Sequence, residues 1–526
     1  MNWRATIANS AWVGSNLLRW RAFRRALNRP AEAQWDLLWG MLARNADSAY
    51  GRAHGFGRVT NYSDFTRCVP MVTYEELAAQ IEQVRGGEQG VLTSERVTHL
   101  IPTSGSTGAW KLIPFTAGLQ RQFDAAISAW VADLALGQPQ ILRGPAYWCI
   151  TPPQKSPVAE PSAVPIGFAD DASYLGGAKG WLVRSAMVRP EGLAEAQDLE
   201  EFRFRTLVGL LRERELRLIS VWHPSFLSLL LDALPEYWEK IIAVLHRRGR
   251  GRARELERAD PRRAETLWPK LAVISCWGDG AAEMLMVELR RRFPGVCVQA
   301  KGLLATEAVM TIPFGGGWPA ALSSHFFEFI DTEGRVFRAH ELQAGETYEV
   351  VVTTAGGLWR YRIGDQVRVE GFVGRTPSLR FVGRAGNGSD LFGEKLSEGF
   401  VAGVIREVLA ASGVEARFTL LAPESDADGW RYVLFLEGEI PMGMAERLDY
   451  ALRKNPNYDY CRELGQLQAA EVFMIRSGGY EIFAKRLVSE GKRLGEVKPV
   501  ALSGNAGWTE IFRNAVLERD HSRALV

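Results

Sequence analysis

The sequence predicts an α/β protein with a large N-terminal domain of β-sheets and flanking helices, followed by a small, mobile α+β domain. Three observations carry that expectation. The first 95 or so residues repeat their apolar positions at helical spacing, short β-rich runs then alternate with helical segments before crowding together, and a glycine-rich junction precedes a second, shorter set of strands. With 526 residues and 47% apolar content, the chain can bury one large core and a companion.

The elements follow in order. Trp35, Leu38, Met41 and Leu42, and then Tyr74, Leu77 and Ile81, recur at three and four and predict helices whose role is packing. The runs LRLISVW (216–222), LAVISCW (271–277), VCVQAKGLL (296–304), HFFEFI (325–330) and YEVVVTT (348–354) predict strands. Helix-separated strands early predict a parallel sheet, and closely spaced ones later an antiparallel region. In GRAGNGSDLFGEKLSEGF (383–400), glycine, asparagine and serine mark a flexible junction. It divides the chain into a domain over 1–390 and a second over 391–526, where ARFTLLA, RYVLFLEG and EVFMIRS continue as strands.

Charge excludes several functions. Lys plus Arg (63) nearly cancels Asp plus Glu (61), so no global field draws the chain to nucleic acid or an anionic membrane. In HRRGRGRARELERADPRRAE (246–265), Glu255, Glu257, Asp260 and Glu265 offset the arginines and no stacking aromatics interleave, so a solvated helix and loop is expected. Cys68, Cys149, Cys276, Cys297 and Cys461 form no C-x-x-C pair and read as buried small hydrophobes in a reducing compartment. Arg4, Asn9, Ser10 and Asn16 break up the apolar N-terminus and leave no signal-peptide core. A cytoplasmic protein without membrane or nucleic-acid partners, and a monomer, is the expectation.

Four motifs carry chemistry. Thr103-Ser104-Gly105-Ser106-Thr107-Gly108-Ala109-Trp110-Lys111 follows the strand-like VTHLI. Its glycines admit close backbone approach, its amides and hydroxyls can donate to phosphate oxygens, and its lysine adds charge. The Walker A pattern is absent. Ala305-Thr306-Glu307 follows a buried-type strand, where a carboxylate can hold magnesium near phosphates. Tyr361-Arg362-Ile363-Gly364-Asp365 places a carboxylate after a glycine turn, suited to a ribose, and Phe381-Val382-Gly383-Arg384 ends in a guanidinium able to reach a ribose or phosphate.

Taken in order, these four resemble the superfamily of acyl-CoA ligases, nonribosomal adenylation domains and luciferases. A closer resemblance is to the acyl-acid amido synthetases, the auxin-responsive promoter family. It is carried by YGRAHGFGRVTNYSDFTRCVPMVTYEELAAQIEQVRGGEQGVLT, KLIPFT, LWPKLAVISCWGDG, YEVVVTTAGGLWRYRIGDQVRVEGF and SDLFGEKLSE, which together span most of the chain.

The resemblance implies an ATP- and Mg2+-dependent ligase that activates a carboxylic acid as its acyl-adenylate and transfers the acyl group to an amine, in this family an amino acid. It implies that Thr103, Ser104, Gly105, Ser106, Thr107 and Gly108 cradle the ATP phosphates with Lys111. Thr306 lies near the nucleotide, Glu307 ligates magnesium, Asp365 binds the ribose and Arg384 helps fix the nucleotide. Lys498 in GKRLGEVKPVAL (491–502) is the expected catalytic lysine, with Lys485 and Lys492 as rivals. Trp222, His223 and Phe226 in VWHPSFLSLL (221–230) are expected to line the acyl site. His223 also reads as a structural residue at a helix start, beside Pro224 and Ser225. Leu303 stands where relatives often carry an aromatic, which weakens the expectation of adenine stacking there. An acyl-CoA ligase and a noncatalytic nucleotide-binding protein are the alternatives.

Overall fold

The computed structural model describes residues 3–104, 110–149, 162–167, 185–196, 199–248, 250–279, 282–384, 388–389, 391–392, 394, 396–463, 466–490 and 497–514. They form two compact units. The first comprises Met1–Gly278, Glu288–Ile363 and Val367–Arg380, and the second Asp279–Val287, Gly364–Gln366 and Phe381–Val526.

The first unit opens with helices α1 (Trp3–Ala26), α2 (Pro30–Arg44), α3 (Ala49–Ala53), α4 (Tyr62–Cys68) and α5 (Tyr74–Arg85). Proline at the first position starts α2, where the missing N–H costs nothing. A Thr73–Glu76 capping box starts α5, which buries Leu77, Ile81 and Val84 on one face. Strands β1 (Val97–Ser104) and β2 (Trp110–Thr116) pair antiparallel. Thr116 ends that hairpin and caps α6 (Ala117–Gly137), its hydroxyl accepting the Leu119 amide at 3.1 Å.

Four parallel strands follow in sheet order β3 (Ala146–Trp148), β4 (Leu218–Ser220), β5 (Val273–Trp277) and β6 (Cys297–Lys301). Parallel strands need long crossovers. Helices Leu199–Arg212, Pro224–Arg248 and Ala282–Arg292 lie in the three connections. A second sheet has the order β11 (Thr376–Arg384), β10 (Tyr361–Val373), β9 (Thr347–Thr353), β7 (Phe326–Ile330), β8 (Val336–Arg338), and β7 runs antiparallel to both its neighbours. The expected parallel-then-antiparallel order is therefore present. One core joins these parts: Ile101 and Phe115 of the hairpin, Leu218 and Val273 of the parallel sheet, and Val309 and Ile312 beyond it.

In the second unit, β12 (Gly388–Ser389) pairs with β13 (Leu396–Ser397), β14 (Phe418–Asp426) runs antiparallel to β15 (Gly429–Glu437), and β16 (Glu471–Met474) runs parallel to β15. Alternate residues enter two cores: Leu421, Tyr432, Leu434 and Leu436 one, and Phe418, Leu420, Val433 and Phe435 the other. This sheet is covered on both faces, which explains its near-continuous apolar runs.

The arginine-rich run is helical over Arg250–Leu256. Three of its carboxylates are paired, Glu255 with Arg214 and Arg252, Glu257 with His246 and Glu265 with Arg263. Arg252 also donates to the carbonyls of Leu211 and Leu267, so part of the run is a structural staple. All five cysteines are free, but only Cys276 and Cys461 are fully buried, while Cys68, Cys149 and Cys297 are half-buried. Among the described residues no helix is long and apolar enough to cross a membrane.

Candidate active site

The phosphate-type motif sits on the β1–β2 hairpin. Leu100, Ile101, Leu112 and Ile113 anchor its two strands in the core, and register places Thr103 opposite Lys111. Gly105, Ser106, Thr107, Gly108 and the side chain of Ser104 lie outside the described residues. The first turn of α5 steadies the hairpin, since the Leu112 amide donates to the Tyr74 hydroxyl at 2.8 Å. Lys111 extends over the Tyr74 ring at 5.4 Å, with Glu75 as its nearest carboxylate at 4.0 Å. That loose pairing leaves its charge available to a polyanion.

The second motif occupies the turn after β6. Gly302 is required there, because a Cβ would meet the Thr311 carbonyl oxygen at 2.0 Å. The Leu303 amide donates to the Thr311 hydroxyl and the Met310 amide to the Leu303 carbonyl, each at 2.8 Å, and the Ala305 amide donates to the Ala308 carbonyl at 2.9 Å. These bonds hold Thr306 and Glu307 at the tip of a tight loop. Leu303 and Glu307 are both buried. A carboxylate thus stands just beyond the carboxyl ends of the parallel strands, where ligands bind in open α/β sheets. Among the described residues no three His, Cys, Asp or Glu side chains gather as a self-sufficient metal cage. A single carboxylate fits magnesium, which is commonly held by one or two carboxylates together with substrate phosphates and water.

The acyl candidates lie at the same end of that sheet. The Val221 amide donates to the Ser275 carbonyl and the Trp277 amide to the Trp222 carbonyl, both at 2.9 Å. Trp222 is 48% exposed and Phe226 half-buried. His223 is buried, and its Nδ1 meets the Ser225 hydroxyl at 2.6 Å and accepts the Ser225 amide at 3.2 Å. The ring therefore satisfies an otherwise open amide at the start of helix Pro224–Arg248, which is the structural role its position suggested.

Two further residues, one in each unit, escaped sequence reasoning. Lys301 is buried at the last position of β6, donates to the Val221 carbonyl at 2.7 Å and lies 5.2 Å from the Trp222 ring centre. Desolvation pulls its pKa down to about 8. The available signal was one lysine inside the apolar run VCVQAKGLL. Asp279, following β5, belongs to the second unit, is buried, and accepts the Phe381 amide at 3.1 Å. Its signal was a carboxylate between two glycines in CWGDG.

The third motif opens β10. Arg360 adopts φ +49°, alone among described non-glycine residues in the left-handed region. A bidentate pair with buried Glu328, at 2.8–2.9 Å, and a bond to the Val69 carbonyl at 2.9 Å hold it there. Tyr62 also donates to Glu328 at 2.6 Å. Val72 clips the backbone on either side, donating to the Arg360 carbonyl and accepting the Arg362 amide. Gly364 then takes φ +85°, which explains the glycine of Tyr-Arg-Ile-Gly-Asp. Asp365 is 3% exposed and, with its two neighbours, belongs to the second unit.

The second unit also carries the remaining candidates. Arg384 closes β11, and its side chain lies outside the described residues. Lys498 is exposed beside buried Val497, whose carbonyl accepts the Tyr480 hydroxyl at 2.8 Å. Lys485 is exposed on helix Gly479–Ser489, and Lys492 lies outside the described residues. Within the first unit, then, one core supports the Lys111 hairpin, the Glu307 loop and the Trp222 strip, while Asp365, Arg384 and Lys498 belong to the other unit.

Comparison with known proteins gives three consecutive domain matches: the GH3 family N-terminal domain over residues 19–298, the GH3 family central domain over 319–384 and the GH3 family C-terminal domain over 401–506. An indole-3-acetic acid-amido synthetase of Arabidopsis thaliana is 25% identical, with 67% of this chain and 68% of that protein covered. A jasmonoyl–L-amino acid synthetase of Oryza sativa subsp. japonica is 22% identical over 89% of this chain and 91% of its own. Among solved structures, an acyl acid amido synthetase in complex with 2,4-DB superposes with a TM-score of 0.82 at 19% identity, covering 94% of this chain and 95% of that one. A 2-hydroxyisobutyryl-CoA ligase in its postadenylation state, with 2-HIB-AMP, gives a TM-score of 0.51 at 13% identity over 95% and 92% of the two chains.

Proposed function

The chain belongs to the GH3 family, and from that premise we propose that it is an ATP-dependent acyl-acid amido synthetase, a ligase that joins a carboxylic acid to an amino acid through an acyl-adenylate. The observation that carries this reading is the succession of all three GH3 domains, in order, over residues 19–506. The amido synthetases it matches are so named for the same reaction class.

A carboxylate is a poor electrophile because oxide would have to leave. Its oxygen attacks the α-phosphorus of ATP, the bond to the bridging oxygen breaks, and pyrophosphate departs. The amine nitrogen then attacks the acyl carbon, the carbon–oxygen bond to AMP breaks, and the amine's proton passes to solvent. In this reading Thr103, Ser104, Gly105, Ser106, Thr107, Gly108 and Lys111 hold the phosphates. Thr306 lies beside the nucleotide, Asp365 takes the ribose hydroxyls and Arg384 helps fix the nucleotide. Glu307 would hold Mg2+, which neutralises phosphate charge when bound. Trp222, His223 and Phe226 line the acyl side. Lys498 offsets the negative charge that grows between carboxylate and α-phosphate. Domains over 1–390 and 391–526, a cytoplasmic monomer, and no nucleic-acid or membrane partner complete the proposal.

The test is pyrophosphate release from ATP and Mg2+ across aryl, indole and fatty acids, with amino acids or coenzyme A, in wild type and Lys498→Ala. Acid-dependent release, amide formation with an amino acid, and a loss of roughly 100-fold or more in the variant are expected. Turnover with coenzyme A alone would make the chain an acyl-CoA ligase. Failure of every acid to release pyrophosphate, with ATP still bound in calorimetry, would make it a binding protein.

A further inference from the structure

Lys301 is a buried cation that the proposed reaction does not use. Among the described residues its polar partners are the Val221 carbonyl at 2.7 Å and the face of Trp222 at 5.2 Å. Among the described residues no carboxylate lies within ion-pair distance. The titratable groups that face it are the thiols Cys276 on β5 and Cys149 beyond β3. An ammonium has three N–H donors, of which one is used here. A buried charge without a counter-ion is costly, and such a cost is retained where a ligand supplies the missing charge. The position is the carboxyl edge of the parallel sheet, between the Glu307 loop and the half-exposed Trp222 ring.

We propose that Lys301 determines acyl specificity, its ammonium pairing with a second carboxylate on the acid, apart from the carboxyl group that is activated, while Trp222 takes the flat apolar part. The inference rests on the amido synthetase reading for the term "acyl", but its test is a binding measurement that needs no turnover. Matched probes are isophthalate, which carries two carboxylates on a ring, and benzoate, which carries one.

Calorimetric titration of the full-length wild type at about pH 7 should give isophthalate an affinity at least about tenfold above that of benzoate. That preference should shrink as pH rises past about 8, where the free ammonium loses its proton. Lys301→Met should collapse the ratio to about one without lowering the melting temperature, because a buried charge is replaced by a neutral side chain of similar length. A lysine serving only to staple β4 to β6 would behave differently: the variant would melt lower and the ratio would not move. Equal binding of the two probes by wild type, a preference that survives in Lys301→Met, or no binding of isophthalate by folded wild-type protein would each overturn the inference. Pyrophosphate release, followed separately, reports on the enzyme reading. Selective isophthalate binding without release on any acid would sink that reading and leave the anion site standing.

Discussion

Lys111 and Glu307 differ in how much of their role is paid for by stability. Lys111 is only loosely tied to Glu75, at 4.0 Å, and is partly exposed, so its removal should cost the fold little. Lys111→Met is therefore expected to melt within a degree or two of wild type while slowing pyrophosphate release by roughly 100- to 1,000-fold, the usual loss when one group that stabilises charge growing in the transition state is removed. A melting shift of similar proportion to the rate loss would make Lys111 structural instead. Glu307 is buried at its loop tip, and Glu307→Gln keeps shape while removing the negative charge. The magnesium concentration for half-maximal rate should rise by about 10- to 100-fold, and an unchanged magnesium dependence would remove Glu307 from the metal's surroundings. Both residues stand out in the sequence because motif order singles them out, and the two variants test the roles proposed for them. Lys301 was not, because one lysine in an apolar strand has no spacing that distinguishes it from a snorkelling surface residue.

At the scale of elements, the start of β10 depends on the Arg360–Glu328 pair, whose side chains are 7% and 1% exposed. Arg360 occupies a left-handed conformation at φ +49°, which is unfavourable for a residue with a Cβ. The ion pair, Tyr62 and the Val69 carbonyl over-determine it. Glu328→Gln leaves a buried guanidinium without its counter-charge and should destabilise the protein by about 3–5 kcal/mol, measured by denaturant melts. Replacing both partners with apolar residues should cost less than that single change, provided the backbone at 360 still turns. If the single variant loses under about 1 kcal/mol, the pair does not hold this strand start. The glycine turn at Gly364 was legible in the motif, but the strand that carries it, β10, was not among the runs read as strands. The sequence cannot announce the pair, since Glu328 and Arg360 meet only once β7 and β10 join one sheet. A different limit hid β3, β12 and β13, whose two or three residues are too short to express a period.

For the whole molecule, the order of parallel and antiparallel sheets followed from apolar runs and their spacing, but the division into units did not follow from sequence distance. Asp279–Val287 and Gly364–Gln366 cluster with Phe381–Val526, although nothing in their composition separates them from their chain neighbours. One global property can still be derived from a single core residue. His325 is fully buried, its Nδ1 sits 2.9 Å from the Ser324 hydroxyl, and desolvation lowers its pKa to about 3. An exposed imidazole in the unfolded chain titrates near ~6.5, so between those values the unfolded state binds a proton that the folded state refuses. Stability must therefore rise with pH across that window and fall on acidification, by about 1.4 kcal/mol per pH unit at most. This one group should remove about 2 kcal/mol on going from pH 7 to pH 5. Its full contribution is present above about 6.5 and is lost progressively toward about 3. His325→Asn cannot titrate there, so urea melts of the variant should show an acid limb shallower by one proton even if its stability at neutral pH is lower. Parallel acid limbs in the two proteins would place the acid sensitivity on other groups.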